Sequence, residues 1–385
     1  MDSLRPRINA VMMLNQWGKR VLNVSEMAQF GTELWCRHQL ATVLGSVTDV
    51  RDDEDPFESC TAEIELASSR ATTRPAELRN ATDYPLKVES PFSFLVRAIL
   101  KVATLNGGQN MQTLSEQILR NTIRIRPENS HKGTYGRVCL VGGNAQYGGA
   151  IMMATEAAVY SGAGLNTTLT DPANFVSLHS RLPEAMVADF HDEHQLESLV
   201  AAATTVVVGP GLGTDADSLA VLETVFKTVS PNQILVIDGS AITLVADKSL
   251  SLPNARLVFT PHEMEWQRLS GITITDQTDA HNTQVREQLN GIVVLKSHHT
   301  RIYTADDVYL NPTGTPAQAT GGMGDTLAGM VGGFTAQFAD LENAVLAAVY
   351  AHSAIADELA ATQYVVLPTQ IMHELPRFMH DHQAQ

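Results

Sequence analysis

The chain has 385 residues, of which 44% are hydrophobic and 18% charged, a composition typical of a soluble globular protein with one large domain or two ordinary ones. Its formal net charge of −16 argues against a broad nucleic-acid interface and against binding to anionic membranes. Three scattered cysteines, the lack of a membrane-length apolar run and the lack of a secretory signal predict a cytoplasmic protein without a disulfide framework.

The first 110 residues lack the regular alternation of strands and helices that follows them. They contain 12 of the 26 basic and 14 of the 42 acidic residues, so most of the negative charge lies downstream. An acidic run at 52–55 and a Ser/Thr/Arg-rich stretch at 68–74 indicate irregular structure, and 106–110 has the composition of a linker. We therefore predict an N-terminal extension of unknown function and low order, 1–110, and an α/β domain, 111–385.

From residue 111 onward, short apolar runs alternate with segments of helical periodicity. The predicted strands are 137–141, 205–208, 234–237, 257–260 and 292–295. This alternation indicates a mostly parallel central sheet flanked by helices. Because ligands of such sheets bind beyond the carboxyl ends of the strands, the loops that follow these five strands are candidates for a functional site.

Four of these loops leave their roles open. Glycine pairs lie in the loop at 142–149, and glycines alternate along 209–213. Each stretch is either a tight turn or a place where a ligand reaches the main chain. For Asp238, at a third strand exit, we favour a structural role as the N-cap of the next helix. For His262, at a fourth, we favour a ligand contact over a capping role.

The fifth loop carries the most specific pattern, a glycine cluster ahead of an apolar helix rich in small residues. Backbone N–H groups at this helix start, at Gly322, Met323 and Gly324, form a predicted anion nest that stabilises a phosphoryl group during transfer. Asp325, in the first turn, is a candidate base for an attacking hydroxyl or a residue that compensates the helix dipole. Lys296 either neutralises phosphate or ends its strand in solvent. No P-loop and no protein-ligated metal site is indicated.

Taken in chain order, these loops resemble the motifs of the ADP/ATP-dependent NAD(P)H-hydrate dehydratase family. Within residues 114–378, the likeness rests on 132–136, 142–150, 162–164, 209–213, 260–262, 294–300, 311–314 and 320–325. The resemblance implies a three-layer, ribokinase-like α/β domain and a homotetramer. It also implies repair of NADH and NADPH that are hydrated on the nicotinamide ring. ADP or ATP phosphorylates the ring hydroxyl of the S-epimer, and phosphate then leaves.

The resemblance assigns roles to individual residues. Asp325 is the expected base, and Ala150, Gly213, His262 and Asp325 are expected to contact the hydrated dinucleotide. The expected nucleotide site consists of a loop and one nest glycine: Lys296, Ser297, His298, His299, Thr300 and Gly324. Mg2+ is expected to shield the phosphates. A separate NAD(P)H-hydrate epimerase is the expected functional partner, since 1–110 contains no epimerase motif.

Departures from the family pattern keep two other functions open. Met323 stands where the family usually has Thr or Ser, which removes a hydroxyl from the phosphoryl site; we expect an altered rate and not a loss of activity. A ribokinase-like kinase of a vitamin precursor or sugar would share the nest and would accumulate a phosphorylated product. A non-catalytic nucleotide sensor would fit Met323 and the N-terminal extension, and it would bind nucleotide without turnover.

Overall fold

A computed structural model describes residues 111–384, in which one ten-stranded sheet is covered by helices. The strands are β1 Met111–Thr113, β2 Arg137–Val141, β3 Leu165–Thr170, β4 Met186–Asp189, β5 Thr205–Val208, β6 Ile234–Ile237, β7 Arg256–Phe259, β8 Gly291–Leu295, β9 Arg301–Tyr303 and β10 Val308–Leu310. The predicted extension, 1–110, lies outside the described residues, and the boundary after it stays a prediction.

The strand order is β1-β10-β9-β8-β7-β6-β5-β2-β3-β4, and each neighbouring pair in this sheet is parallel except the two that involve β9. The five predicted strands correspond to β2, β5, β6, β7 and β8 to within one residue at each end. The prediction of a mostly parallel sheet is therefore confirmed. Five strands were not predicted: β1, β9 and β10 have only three residues each, and β3 and β4 contain polar residues.

Helices connect the strands. They are α1 Gln117–Thr122, α2 Gly148–Tyr160, α3 Phe175–Arg181, α4 Glu193–Ala201, α5 Ala216–Thr228, α6 Gly239–Lys248, α7 Glu263–Ser270, α8 Asp279–Leu289, α9 Met323–Gln337, α10 Leu341–Ala360 and α11 Pro368–Asp381. Short 3-10 turns lie at Lys132–Tyr135, Pro172–Asn174, Ile274–Asp276 and Pro316–Gln318. Among the described helices, none combines the length and the apolarity needed to cross a membrane.

The strand side chains alternate between two hydrophobic cores, one on each face of the sheet. Along β2, Val138 and Leu140 pack in the core that contains α2, α9 and α10, whereas Cys139 and Val141 pack in the core that contains α4, α5 and α6. This alternation follows from the two-residue period of a strand. Burial on both faces explains why the central strands are continuous apolar runs, and it makes the sheet a rigid base for the loops.

Two close contacts hold together parts of the fold that are distant in the sequence. A side chain at Gly329 of α9 would collide with the carbonyl oxygen of Ala154 in α2, so the glycine allows the two helices to touch along their backbones. At the end of the fold, the Ala384 N–H donates to the Ile123 carbonyl oxygen at 2.9 Å. The last described residues therefore lie against the segment that follows α1.

Candidate active site

The loops after β2, β5, β6, β7 and β8 meet at one edge of the sheet. The loop that carries the nest follows β10, and it begins at the same edge because β10 runs in the same direction as β8. Strands β8, β7, β6, β5 and β2 are consecutive neighbours, so their carboxyl ends form a continuous row. Main-chain hydrogen bonds join adjacent loops: the Gly143 N–H donates to the Pro210 carbonyl at 2.9 Å, and the Lys296 N–H donates to the Pro261 carbonyl at 2.8 Å. The candidate site therefore lies at this carboxyl edge, as expected for a parallel sheet.

Asp238 corrects the sequence interpretation. It occupies the N-cap position of α6, but its side chain makes no capping hydrogen bond. Instead, the carboxylate is almost fully buried, with the residue 2% exposed, and its Oδ1 accepts hydrogen bonds from Lys296 Nζ at 2.9 Å and Thr260 Oγ1 at 2.6 Å. A carboxylate at the exit of a predicted central strand was the available signal, but the strand order that places it near Lys296 was not known.

Lys296 extends from the end of β8 to the start of α9. Its Nζ is 3.0 Å from the position that a Cβ on Gly324 would take. Burial by itself would lower the pKa of Lys296, but the nearby carboxylates of Asp238, Glu265 and Asp325 outweigh burial and raise that pKa. The ammonium group is therefore charged at neutral pH and lies against the predicted nest.

The nest itself is the N-terminus of α9. Gly322 is the N-cap residue and has φ of 95°, a left-handed conformation that favours glycine. A side chain there would also collide with the thioether of Met153. The helix start leaves backbone N–H groups without intrahelical partners and carries the positive end of the helix dipole, so it is suited to a phosphoryl group.

Asp325 lies half-buried in the first turn of α9, with a raised pKa of about 6. Burial is the largest cause and the negative charge of Asp238 is the second, whereas the charge of Lys296 acts in the opposite direction. At neutral pH the carboxylate is ionised but more basic than an ordinary aspartate. This is the protonation behaviour required of a general base.

His352, in the middle of α10, was missed by sequence reasoning. It is 6% exposed, and its Nε2 has no hydrogen-bond partner within residues 111–384. Burial and the charge of Lys296 lower the pKa of His352 to about 4, although a backbone hydrogen bond with Met323 opposes them. The imidazole is therefore neutral and adjoins the nest. Because His352 lies inside a largely apolar helix, the sequence did not indicate that it adjoins the nest.

The loop predicted to bind nucleotide follows Lys296 directly. Ser297 Oγ donates to the His299 carbonyl at 2.8 Å, and the rings of His298 and His299 lie 4.1 Å apart between centroids. The Thr300 carbonyl accepts from the Asn311 N–H at 2.9 Å, which ties the loop to the segment after β10. Its continuity with Lys296 places the loop beside the nest, while nucleotide contacts stay a prediction.

The residues predicted to contact the dinucleotide lie along the same edge. Ala150 is in the first turn of α2, and Gly213, with φ of 95°, donates its N–H to Ser240 Oγ at 3.2 Å. His262 does cap α7, since its Nδ1 accepts from the Met264 N–H at 3.1 Å. Its side chain is 53% exposed, and contact with a ligand remains a prediction.

Comparison with known proteins places this edge in a family context. A sequence profile of the NAD(P)H-hydrate dehydratase family matches residues 138–377. The chain belongs to this family. It is 56% identical over 270 residues to the ADP-dependent (S)-NAD(P)H-hydrate dehydratase of Lactiplantibacillus plantarum, and the alignment covers 70% of this chain and 97% of the relative.

Solved structures agree with the membership in the NAD(P)H-hydrate dehydratase family. A ribokinase-like superfamily protein from Enterococcus faecalis is 48% identical, with a TM-score of 0.71 and coverage of 71% of this chain and 97% of that one. The ADP/ATP-dependent NAD(P)H-hydrate dehydratase of Bacillus subtilis, co-crystallised with ATP and Mg2+, is 28% identical, with a TM-score of 0.64 and coverage of 71% and 99%. The predicted ribokinase-like fold is therefore confirmed.

Proposed function

We propose that this member of the NAD(P)H-hydrate dehydratase family is a hydro-lyase that dehydrates the S-epimer of hydrated NADH and NADPH, using ADP or ATP. The observation that carries the proposal is the position of the Asp325 carboxylate, in the first turn of α9 next to the charged Lys296. A base, a cation and a row of unpaired N–H groups are then available within one small region.

In the proposed reaction, the terminal phosphoryl group of the nucleotide rests on the N–H groups of Gly322 to Gly324. Lys296 balances its charge. Asp325 accepts the proton of the ring hydroxyl, whose oxygen bonds to phosphorus while the bond from phosphorus to the rest of the nucleotide breaks. AMP leaves when the donor is ADP, and ADP leaves when it is ATP.

The second step is elimination. The ring carbon–oxygen bond breaks, phosphate departs with the electron pair, and the adjacent ring carbon loses a proton so that the double bond forms again. Phosphorylation is needed because hydroxide is a poor leaving group, whereas phosphate is a good one. The net change is removal of water from the ring and hydrolysis of one phosphoanhydride bond.

We further propose Mg2+ as the metal of the reaction. Among the described residues, no group of three or more His, Cys, Asp or Glu side chains is arranged to hold a metal ion. In this proposal the phosphate oxygens of the nucleotide would supply most of the ligands of the ion. Bound there, Mg2+ would shield the phosphate charge.

The proposal extends to assembly and cellular context. We propose a homotetramer, which the family resemblance supports, and a cytoplasmic location, where ADP and NADPH are present. Because the proposed reaction acts on the S-epimer alone, a separate NAD(P)H-hydrate epimerase would be needed to convert the R-epimer into substrate.

The test is an assay with hydrated NADH and, in parallel, hydrated NADPH, each with ADP or ATP and Mg2+. We expect recovery of the dihydronicotinamide absorbance, with one nucleotide product and one free phosphate formed for each molecule restored. Accumulation of a phosphorylated ring would instead identify a kinase. Nucleotide binding without any turnover would support a sensor and contradict the proposal.

A further inference from the structure

The buried carboxylate of Asp238 touches the cation of the site but has no part in the proposed reaction. We infer that Asp238 is a positioning residue, which holds Lys296 at the nest and, through its charge, keeps the Asp325 carboxylate a strong enough base to accept the hydroxyl proton. This inference rests on the proposed function for its catalytic meaning. Its geometric basis is the contact of Asp238 with Lys296, whose Nζ lies against Gly324, the residue before Asp325.

The first argument is the fixed geometry of the pair. The Asp238 carboxylate is held by Thr260 Oγ1 at 2.6 Å and by Lys296 Nζ at 2.9 Å, and the Asp238 side chain is only 3% exposed. The lysine main chain is fixed as well, through a parallel bridge with His262 and a hydrogen bond to the Pro261 carbonyl. The ammonium group is therefore held in one place, near Gly324.

The second argument is the balance of charge at Asp325. Lys296 alone would favour the ionised form of Asp325 and would make it a weak base. Asp238 opposes Lys296, and its effect on Asp325 is the larger of the two charges. Burial acts in the same direction as Asp238, and together they raise the pKa of Asp325 to about 6.

The other titratable groups that face this region do not replace Asp238. Glu265 of α7 also raises the pKa of Asp325, but it is a smaller cause than Asp238. His352 of α10 is neutral, since burial is the main cause that lowers its pKa to about 4. His262 is turned into the capping box of α7, with its Nε2 3.5 Å from Glu265. Asp238 is thus the main negative charge that acts on Asp325.

The test measures the titration of Asp325 directly, without reference to activity. The full chain is labelled with 13C at aspartate carboxyl groups, and the Asp325 signal is identified by its loss in Asp325→Asn. In Asp238→Asn we expect the midpoint of the Asp325 titration to fall by about one pH unit, since a like charge is removed. An unchanged midpoint in the folded variant overturns the inference.

A second variant keeps the test decisive if Asp238→Asn does not fold. The double variant Asp238→Asn with Lys296→Met leaves no unpaired buried charge. Because Asp238 affects Asp325 more than Lys296 does, the Asp325 midpoint should still fall below that of the unmodified chain, and a rise or no change would overturn the inference. The matched control is Glu156→Gln, at another buried acid that pairs with Arg181 at 2.7 Å and His373 at 3.2 Å. It should lower the unfolding temperature without moving the Asp325 midpoint.

The catalytic consequence is read from the pH dependence of kcat/KM for the hydrate. The acid limb in Asp238→Asn should move to lower pH in parallel with the Asp325 titration, and a limb that stays in place overturns the inference. Absence of dehydration in the unmodified chain would reject the proposed function. The carboxyl titration would still decide the role of Asp238 in that case.

Discussion

At the level of single residues, Asp325 sets the pH range of the proposed reaction. Its pKa is about 6, mainly because the carboxyl group is buried. Below that pH the group is protonated and cannot accept the hydroxyl proton, so we expect kcat/KM to fall by about tenfold for each pH unit. The rate should be level above about pH 7. A profile measured from pH 4.5 to 8.5 that shows no acid limb near pH 6 would contradict the assignment.

Replacement of Asp325 should change activity and stability in opposite directions. Asp325→Asn removes the base, and kcat should fall by about 10² to 10⁴-fold. The folded pKa of this acid lies above its ordinary value, so ionisation between about pH 4 and 6 costs stability, and the cost is fully present at pH 7. The neutral amide should therefore raise the free energy of unfolding at pH 7 by about 1–3 kcal/mol.

Urea unfolding at two pH values checks that sign. The gain in Asp325→Asn should be present at pH 7 and should largely vanish at about pH 4, where the wild-type carboxyl group is itself protonated. Calorimetry with ADP shows in the same samples whether the nucleotide site survives. A variant that loses both activity and stability at pH 7 would indicate a structural role for Asp325.

Disruption of the buried ion pair between Asp238 and Lys296 should lower the free energy of unfolding. Asp238→Asn leaves the Lys296 ammonium, 19% exposed, without its carboxylate partner. Loss of one member of a buried pair typically costs about 3–5 kcal/mol of unfolding free energy. Denaturant unfolding measures this cost, and the double variant Asp238→Asn with Lys296→Met should recover part of it. Equal stability of the single and double variants would contradict the pairing.

At the level of elements, α9, whose start forms the nest, is supported by its contact with α2. A Cβ at Gly329 would collide with the Ala154 carbonyl, so Gly329→Ala should destabilise the fold by about 1–3 kcal/mol. The matched control is Gly149→Ala in α2, where a Cβ would meet no atom within 4 Å. It should stabilise the fold by about 0.4–1 kcal/mol. Urea unfolding of both variants tests the contact, and equal effects would contradict it.

The elements also show what the sequence could and could not predict. The central strands were predictable because burial on both faces demands continuous apolar runs such as that of β6. The three-residue strands β1, β9 and β10 are too short to show a period. The role of Asp238 depends on the order of strands across the sheet, which local pattern does not contain. In the sequence, His352 is one residue of a largely apolar helix, and only the fold shows that it lies near Met323.

At the level of the whole molecule, the described residues contain both hydrophobic cores and every predicted site residue. We therefore expect a shortened chain that begins at Met111 to have the same kcat/KM as the full chain in the hydrate-recovery assay. The same unfolding temperature is expected for the transition that reports the α/β domain. A large loss of activity in the shortened chain would assign a catalytic contribution to residues 1–110.

The contact between Ala384 and Ile123 predicts that the described domain tolerates circular permutation. The last described segment lies along α1, since Ala384 contacts Ile123 after that helix and His382 lies 3.7 Å from Glu116 before it. In the shortened chain that begins at Met111, a flexible linker that spans the distance from α1 to Met111 should therefore join 384 to 111. New ends can then be opened at the exposed turn 230–232, at the amino end of β6 and away from the catalytic edge. Such a circular permutant should refold and restore hydrated cofactor. Activity of the permutant would show that the site requires the arrangement of the loops in space and not their order along the chain.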